Sequence, residues 1–138
     1  MRRVSDVMTG NVRLARPEQT LREAAMLMAE ADVGSLPVAE NERLVGMVTD
    51  RDMAVRALAR GLGAETPVAD VMTREIRYCF EDEDINDVAE NMAELGVRRL
   101  PVVDRQKRLV GIVALSNVAQ CGSEDASESL LEGVAQPH

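Results

Sequence analysis

The sequence predicts a mixed α/β fold, built as a tandem β-α-β-β-α repeat with pseudo-two-fold symmetry. Two motifs recur after 64 residues and a third after 65 residues: Val7-Met8-Thr9 as Val71-Met72-Thr73, Leu36-Pro37-Val38 as Leu100-Pro101-Val102, and Leu44–Val48 as Leu109–Val113. A copy of roughly 55 residues would bury too little surface to be stable alone, so the two copies are expected to fold together. The predicted organisation is copy one at 4–60, a linker at 61–67, copy two at 68–121 and a flexible, acidic tail at 122–138.

Copy one begins with an apolar segment and a short strand. The segment Val4–Met8 precedes a predicted strand around Val12–Leu14, which Pro17 ends. Thr20-x-x-Glu23 then has the pattern of a capping box, in which the two side chains satisfy backbone N–H groups at a helix start. Helical spacing places four apolar residues on one face of the helix that follows: Leu21, Ala24, Ala25 and Met28.

A hairpin and a second helix complete the copy. Leu36–Ala39 and Leu44–Thr49 are short apolar runs on either side of the polar turn Glu40–Arg43, which is typical of a β-hairpin. The second helix is predicted from about Asp50 to Arg60, and it should stop near Gly61.

Copy two repeats this order. Asp84 is the predicted N-cap of its first helix, and Leu100–Val103 and Leu109–Val113 form its strand pair. Its last helix is expected from about Leu115 to Cys121. The apolar face of the first helix consists of Ile85, Val88, Ala89 and Met92. Branched residues in the short strand runs favour strands over an all-helical fold.

Composition excludes several classes of function. The formal net charge is −8, which disfavours binding to a nucleic-acid backbone. Tyr78 and Phe80 are the only aromatic residues, so a stacking platform for single strands is absent. No stretch is long and apolar enough to span a membrane, and the N-terminus lacks the apolar run of a signal peptide. A cytoplasmic location is therefore expected.

Catalytic and metal-binding patterns are also missing. The only histidine is His138. Cys79 and Cys121 do not form a CxxC pair, so buried free thiols are expected. The acidic run Glu81–Asp84 precedes a predicted helix, where negative charge is favourable without any catalytic or metal-binding role. We therefore expect neither an enzyme nor a required cofactor.

With these elements in place, the chain resembles a known family, the CBS-domain pair, over residues 4–121. The resemblance rests on the doubled element order, the two Leu-Pro-Val strand starts, and Gly46-Met47-Val48-Thr49-Asp50-Arg51-Asp52. This segment fits the family's Gly-hydrophobic-x-Thr/Ser-x-x-Asp nucleotide motif. The chain looks like the small stand-alone bacterial members. The resemblance implies a CBS-pair fold, adenosine-type ligands in clefts between the copies, and dimerisation through helices.

The resemblance implies that two residues of this motif contact the ligand, Asp52 at the ribose and Thr49 at a sugar or phosphate oxygen. Asp52 follows Thr49 by three residues, so both side chains face the same side of a helix start. A carboxylate can accept two hydrogen bonds from a ribose diol, and a threonine hydroxyl can donate to an oxygen of the ligand. The alternative interpretation is an N-cap with an acidic first turn and no ligand.

The two copies differ at this motif. Copy two has Ala114 and Asn117 at the positions of Thr49 and Asp52. The resemblance implies that Arg98 and Arg99, before Leu100-Pro101, reach the phosphates of the nucleotide held by Asp52. Without a ligand, they would be an exposed pair at a strand end.

The remaining expected ligand contacts follow from the resemblance. Arg51 lies within the motif, and Met47, Ile76 and Arg77 would contact the base. Met47 and Ile76 could equally be core residues. A second, weaker cleft would use Val12, Ile112 and Asn117.

These observations lead to two main hypotheses. The first is a regulatory module that senses AMP, ADP or ATP and forms a homodimer. The alternative is a ligand-independent dimerisation or interaction module. A nucleic-acid role is a weaker option because of the charge, and the downstream protein partner is not indicated.

Overall fold

The computed structural model describes residues 2–120, and Cys121 and the predicted tail 122–138 lie outside the described residues. The described chain divides into two compact units. We call residues 13–76 the central unit, and residues 2–12 with 77–120 the split unit. The units therefore differ from the sequence repeats, because the first residues of each copy belong to the unit that contains the rest of the other copy.

The central unit contains helix α1 (Leu21–Ala31) and a hairpin of β1 (Ser35–Glu40) and β2 (Arg43–Thr49). The turn residues Asn41 and Glu42 both have positive φ, of 51° and 69°, as the two-residue turns of twisted hairpins require. Helix α2 (Asp50–Asp52) continues as a π-helical turn at Met53–Ala57 and a 3₁₀ turn at Leu58–Arg60. This helical segment, 50–60, ends at Gly61 with a φ of 77°, as predicted.

The split unit contains a three-stranded sheet and two helices. Its elements are a 3₁₀ turn at Val4–Asp6, β3 (Cys79–Phe80), α3 (Ile85–Leu95), β4 (Arg99–Val103), β5 (Leu109–Ala114) and α4 (Leu115–Gln120). The strand order is β3-β4-β5, with β3 parallel to β4 and β4 antiparallel to β5. The order predicted for copy two is present, and the mixed fold class is confirmed.

The prediction of a strand around Val12–Leu14 was wrong. Only Ala15 forms a bridge to Val38, donating its N–H to Pro37 O at 2.9 Å and accepting from Ala39 N at 3.0 Å. Pro17 follows two residues later and has no N–H to extend the pairing. Copy one therefore contributes a single bridge where copy two forms β3.

The helix starts and apolar faces largely agree with the sequence. The Thr20 hydroxyl accepts from Glu23 N at 3.1 Å, and the Asp84 carboxylate accepts from Asn86 N at 2.9 Å. All four apolar residues predicted for α3 are buried. On α1, Ala25 is exposed, and Leu27 packs against the core instead. This face is therefore rotated slightly from the predicted one.

Each unit has its own aliphatic core, completed by a segment of the other copy. In the central unit Val68, Val71 and Met72 pack with the residues of α1, β1 and β2. In the split unit Val4 and Val7 pack with those of α3, β4 and β5. The two Val-Met-Thr motifs therefore lie in segments 4–12 and 68–76. We call these the exchanged segments, because each one packs in the unit that contains the rest of the other copy. None of the helices within residues 2–120 is long and apolar enough to cross a membrane.

Candidate functional site

The exchanged segments pair with the strand that leads to the candidate motif. In the central unit Thr73 N donates to Met47 O at 2.8 Å, and Met47 N donates to Thr73 O at 2.9 Å. In the split unit Thr9 and Ile112 form the same reciprocal pair, at 2.8 and 3.0 Å. The repeated Val-Met-Thr motif therefore ends beside the same position of each repeated strand.

The repeated glycine permits this close approach. A Cβ at Gly46 would lie 2.7 Å from Thr73 O, and a Cβ at Gly111 would lie 2.8 Å from Thr9 O. Both distances are far below van der Waals contact. Glycine is therefore required at each position by the backbone of the exchanged segment.

Thr49 and Asp52 form a reciprocal cap where β2 becomes the helical segment 50–60. The Thr49 hydroxyl accepts from Asp52 N at 3.0 Å, and the Asp52 carboxylate accepts from Thr49 N at 3.0 Å. The capping alternative is thus present in the structure. It leaves the Thr49 hydroxyl proton and further lone pairs of the carboxylate available for a ligand.

Two further residues contact the Asp52 carboxylate, and sequence reasoning missed both. The Thr73 hydroxyl lies 3.4 and 3.5 Å from the two carboxylate oxygens, and Arg56 Nε lies 3.8 Å from Oδ1. Arg56 also donates to Val71 O and Met72 O at 3.4 and 3.3 Å. The Asp52 side chain is only 13% exposed. The signals were present, because Thr73 is part of a repeat and Arg56 follows Asp52 at helical i,i+4 spacing.

The matching position in the split unit lacks both the hydroxyl and the carboxylate. Ala114 has no side-chain donor, and Asn117, which is half-buried, forms no side-chain hydrogen bond with any residue that the structure describes. Val12 and Ile112 are also half-buried. The side chains at the two matching positions therefore differ in charge and in the hydrogen bonds that they form among the described residues.

The other predicted site residues are distributed over both units. Met47 and Ile76 are half-buried, and Arg51 is exposed, all in the central unit. Arg77, Arg98 and Arg99 are exposed and belong to the split unit. The central unit therefore brings Met47, Thr49 and Asp52 together around Thr73.

Arg98 and Arg99 lie at the start of β4. Arg99 is paired with Ala114, and Arg98 O accepts from Leu115 N at 3.1 Å. Within residues 2–120 neither guanidinium forms an ion pair.

A cavity of about 460 Å³ lies elsewhere in the central unit, beside the β1–β2 turn. It is lined by residues of the segments 14–18 and 39–42, and it is open to solvent. None of the predicted site residues lines it. The candidate site is therefore a cluster of side chains at a strand end and does not coincide with this cavity.

The one cysteine that the structure describes, Cys79, has a buried thiol. Burial, together with the charge of Glu83, raises the pKa of the Cys79 thiol to about 12, so it is protonated at neutral pH. Among residues 2–120 there is no group of three or more His, Cys, Asp or Glu side chains that could hold a metal ion.

A similar solved structure does contain metal. It is Hypoxic Response Protein I with two coordinated zinc ions, which is 36% identical, with a TM-score of 0.76, covering 86% of this chain and 98% of that one.

Two other solved structures contain adenosine compounds. CBSX2 in complex with AMP is 29% identical, with a TM-score of 0.76, over 88% of this chain and 96% of that one. The CBS domain pair of protein MJ0100, in complex with 5′-methylthioadenosine and S-adenosyl-L-methionine, is 29% identical, with a TM-score of 0.71, over 88% and 95%.

Sequence relatives lead to the same family. CBS domain-containing protein YhcV of Bacillus subtilis is 44% identical over 132 residues, which is 94% of each chain. The family model described as CBS domain matches residues 4–58 and again residues 68–123. The chain therefore belongs to the CBS-domain family and carries two copies of that domain.

Proposed function

We propose that this protein is a regulatory module that binds an adenosine nucleotide through Thr49 and Asp52. The observation that carries the proposal is the reciprocal Thr49–Asp52 cap at the end of β2, which only one of the two copies has. It holds a carboxylate and a hydroxyl in fixed positions beside a half-buried apolar residue, Met47. A ribose and a base need these two kinds of surface.

The two polar groups have complementary roles. Because the Thr49 hydroxyl oxygen accepts from Asp52 N, its proton remains free to be donated to an oxygen of the ligand. The Asp52 carboxylate would accept from the two ribose hydroxyls in charge-assisted hydrogen bonds. Met47 and Ile76, which are both half-buried, would supply apolar surface for the base.

The phosphates of AMP, ADP or ATP would be bound by arginine. Arg98 and Arg99 are exposed and have no ion pair within residues 2–120, and Arg51 is exposed next to Asp52. A guanidinium presents a planar fork of donors that matches phosphate oxygens. The second site, with Val12, Ile112 and Asn117, would bind such a ligand more weakly because it lacks the carboxylate.

Calorimetric titration with AMP, ADP and ATP tests the proposal. Asp52→Asn keeps the shape of the side chain but removes its charge, and we expect affinity to fall roughly tenfold to a hundredfold, as the loss of charged hydrogen bonds predicts. Asp50→Asn is the matched control, because Asp50 is exposed and, within residues 2–120, its carboxylate accepts only from its neighbour Arg51 N. Equal affinity in wild type and Asp52→Asn would contradict the assignment.

A second candidate function is a ligand-independent interaction module that forms a homodimer. Apolar side chains of the central unit are exposed on its helices: Met26, Val55 and Leu58, with Leu62 just beyond. A dimer that shows no thermal shift with any of the nucleotides would favour this candidate. For either function we propose a cytoplasmic location, which the free thiol of Cys79 supports.

A further inference from the structure

The Thr73 hydroxyl lies across the edge of the Asp52 carboxylate. It is 3.4 Å from Oδ1 and 3.5 Å from Oδ2, so its single proton is shared between the two oxygens. Thr49 N already occupies one position on Oδ2 at 3.0 Å. The Thr73 proton thus competes for acceptor positions on both oxygens, and Arg56 Nε lies 3.8 Å from Oδ1.

A ribose diol needs acceptor positions on the same two oxygens. Its two adjacent hydroxyls donate most favourably when each one meets a different oxygen of one carboxylate. We propose that Thr73 is a built-in competitor, whose hydroxyl must turn away from Asp52 before the diol can bind. This inference rests on the proposed function and deepens it, because it adds Thr73 as a residue that sets affinity without being a ligand contact.

The backbone around Thr73 restricts what changes on binding. Two backbone hydrogen bonds hold Thr73 to Met47, at 2.8 and 2.9 Å. Arg56 holds the carbonyls of Val71 and Met72, at 3.4 and 3.3 Å. The Thr73 side chain can therefore rotate while its backbone stays paired, and the cost of binding is the loss of one long hydrogen bond.

Thr9 is the matched control that the repeat supplies. It pairs with Ile112 as Thr73 pairs with Met47. The residue that corresponds to Asp52 is Asn117, which makes no side-chain hydrogen bond within the described chain. Thr9 therefore has the same backbone setting without a carboxylate to cover.

The test compares Thr73→Val with Thr9→Val in titrations with AMP. Valine keeps the shape of threonine and removes the competing proton, so we expect Thr73→Val to bind AMP about threefold to tenfold more tightly, as the loss of one weak competing hydrogen bond implies. Thr9→Val should bind as wild type does. Thr73→Ser, which keeps a hydroxyl, should not show the gain.

A ligand without the diol separates competition from other effects. With 2′,3′-dideoxyadenosine monophosphate, Thr73→Val should bind no more tightly than wild type. If the folded Thr73→Val variant binds AMP more weakly than wild type or equally well, the proposed competition by Thr73 is contradicted. The proposed function is not affected by that result. If Thr73→Val binds AMP and wild type does not, the competition is supported. If neither wild type nor Thr73→Val binds AMP, both the competition and the proposed nucleotide-binding function are contradicted.

Discussion

Gly46 lies so close to Thr73 that a Cβ at Gly46 would be 2.7 Å from the Thr73 carbonyl oxygen. The contact joins β2 of copy one to the exchanged segment of copy two. The contact depends on the absence of a side chain at Gly46, and the hydroxyl of Thr73 in turn contacts Asp52. A side chain at position 46 would therefore disturb both the packing of β2 and the surroundings of Asp52.

Gly46→Ala should destabilise the protein. The methyl group would meet a backbone carbonyl, so the segment must shift, and overpacking of this kind costs about 1–3 kcal/mol. Chemical denaturation measures the effect. Gly63→Ala is the control, since a Cβ there meets no atom within 4 Å, and equal stability of the two variants would contradict the steric argument.

The exchange of segments predicts a large effect for Val4→Ala. Val4 is fully buried in the core of the split unit although it belongs to copy one. We expect a loss of about 1–3 kcal/mol in the free energy of unfolding, as for other truncations of buried aliphatic side chains. Val55→Ala, at a side chain that is 52% exposed, should change stability by less than about 0.5 kcal/mol. Similar losses of stability in Val4→Ala and Val55→Ala would contradict the burial of Val4 in the core of the split unit.

The arginines proposed to bind phosphate should discriminate between ligands. Arg99→Ala should weaken ATP and AMP binding and leave adenosine binding unchanged, because adenosine has no phosphate. Fluorescence or calorimetric titration with the three ligands measures this. Arg22→Ala, an exposed position on α1, is the control for net charge. An equal loss for adenosine would show that Arg99 does not act through phosphate.

Leu58 tests the proposed homodimer. Its side chain is 73% exposed on the helical segment 50–60, so Leu58→Lys should leave the fold intact. If this surface forms the dimer, the buried charge should shift the sedimentation coefficient to that of a monomer at micromolar concentration. Arg60→Gln, on the same segment, should sediment as wild type does. An unchanged dimer in Leu58→Lys would place the interface elsewhere.

The raised pKa of the Cys79 thiol predicts how the free energy of unfolding changes at alkaline pH. Its pKa is about 12 in the folded protein against 9.0 for an ordinary thiol, because burial disfavours the thiolate. The folded state binds this proton more tightly, so the contribution to stability is complete below pH 9 and is lost as pH rises towards 12. In a Cys121→Ser background, the free energy of unfolding should fall more steeply over this range than in the additional variant Cys79→Ala. Parallel curves would contradict the assigned cause.

The sequence predicted much of this fold because its signals are local. The caps at Thr20 and Asp84, the turn at Asn41 and Glu42 and the stop at Gly61 all depend on neighbouring residues, and they formed where expected. The strand around Val12–Leu14 failed because a strand needs a partner. There the pairing is limited to one bridge at Ala15.

For the candidate site, the sequence alone determined the duplication and the difference between Asp52 and Asn117, since both are matters of residue identity. It also indicated the Thr49–Asp52 cap, whose residues are three apart. Only the tertiary structure decided that each Val-Met-Thr segment joins the unit of the other copy, and that Thr73 and Arg56 contact Asp52. The physical reason is that the backbone pairing of Met47 with Thr73 joins residues 26 positions apart, and no local preference encodes such a contact.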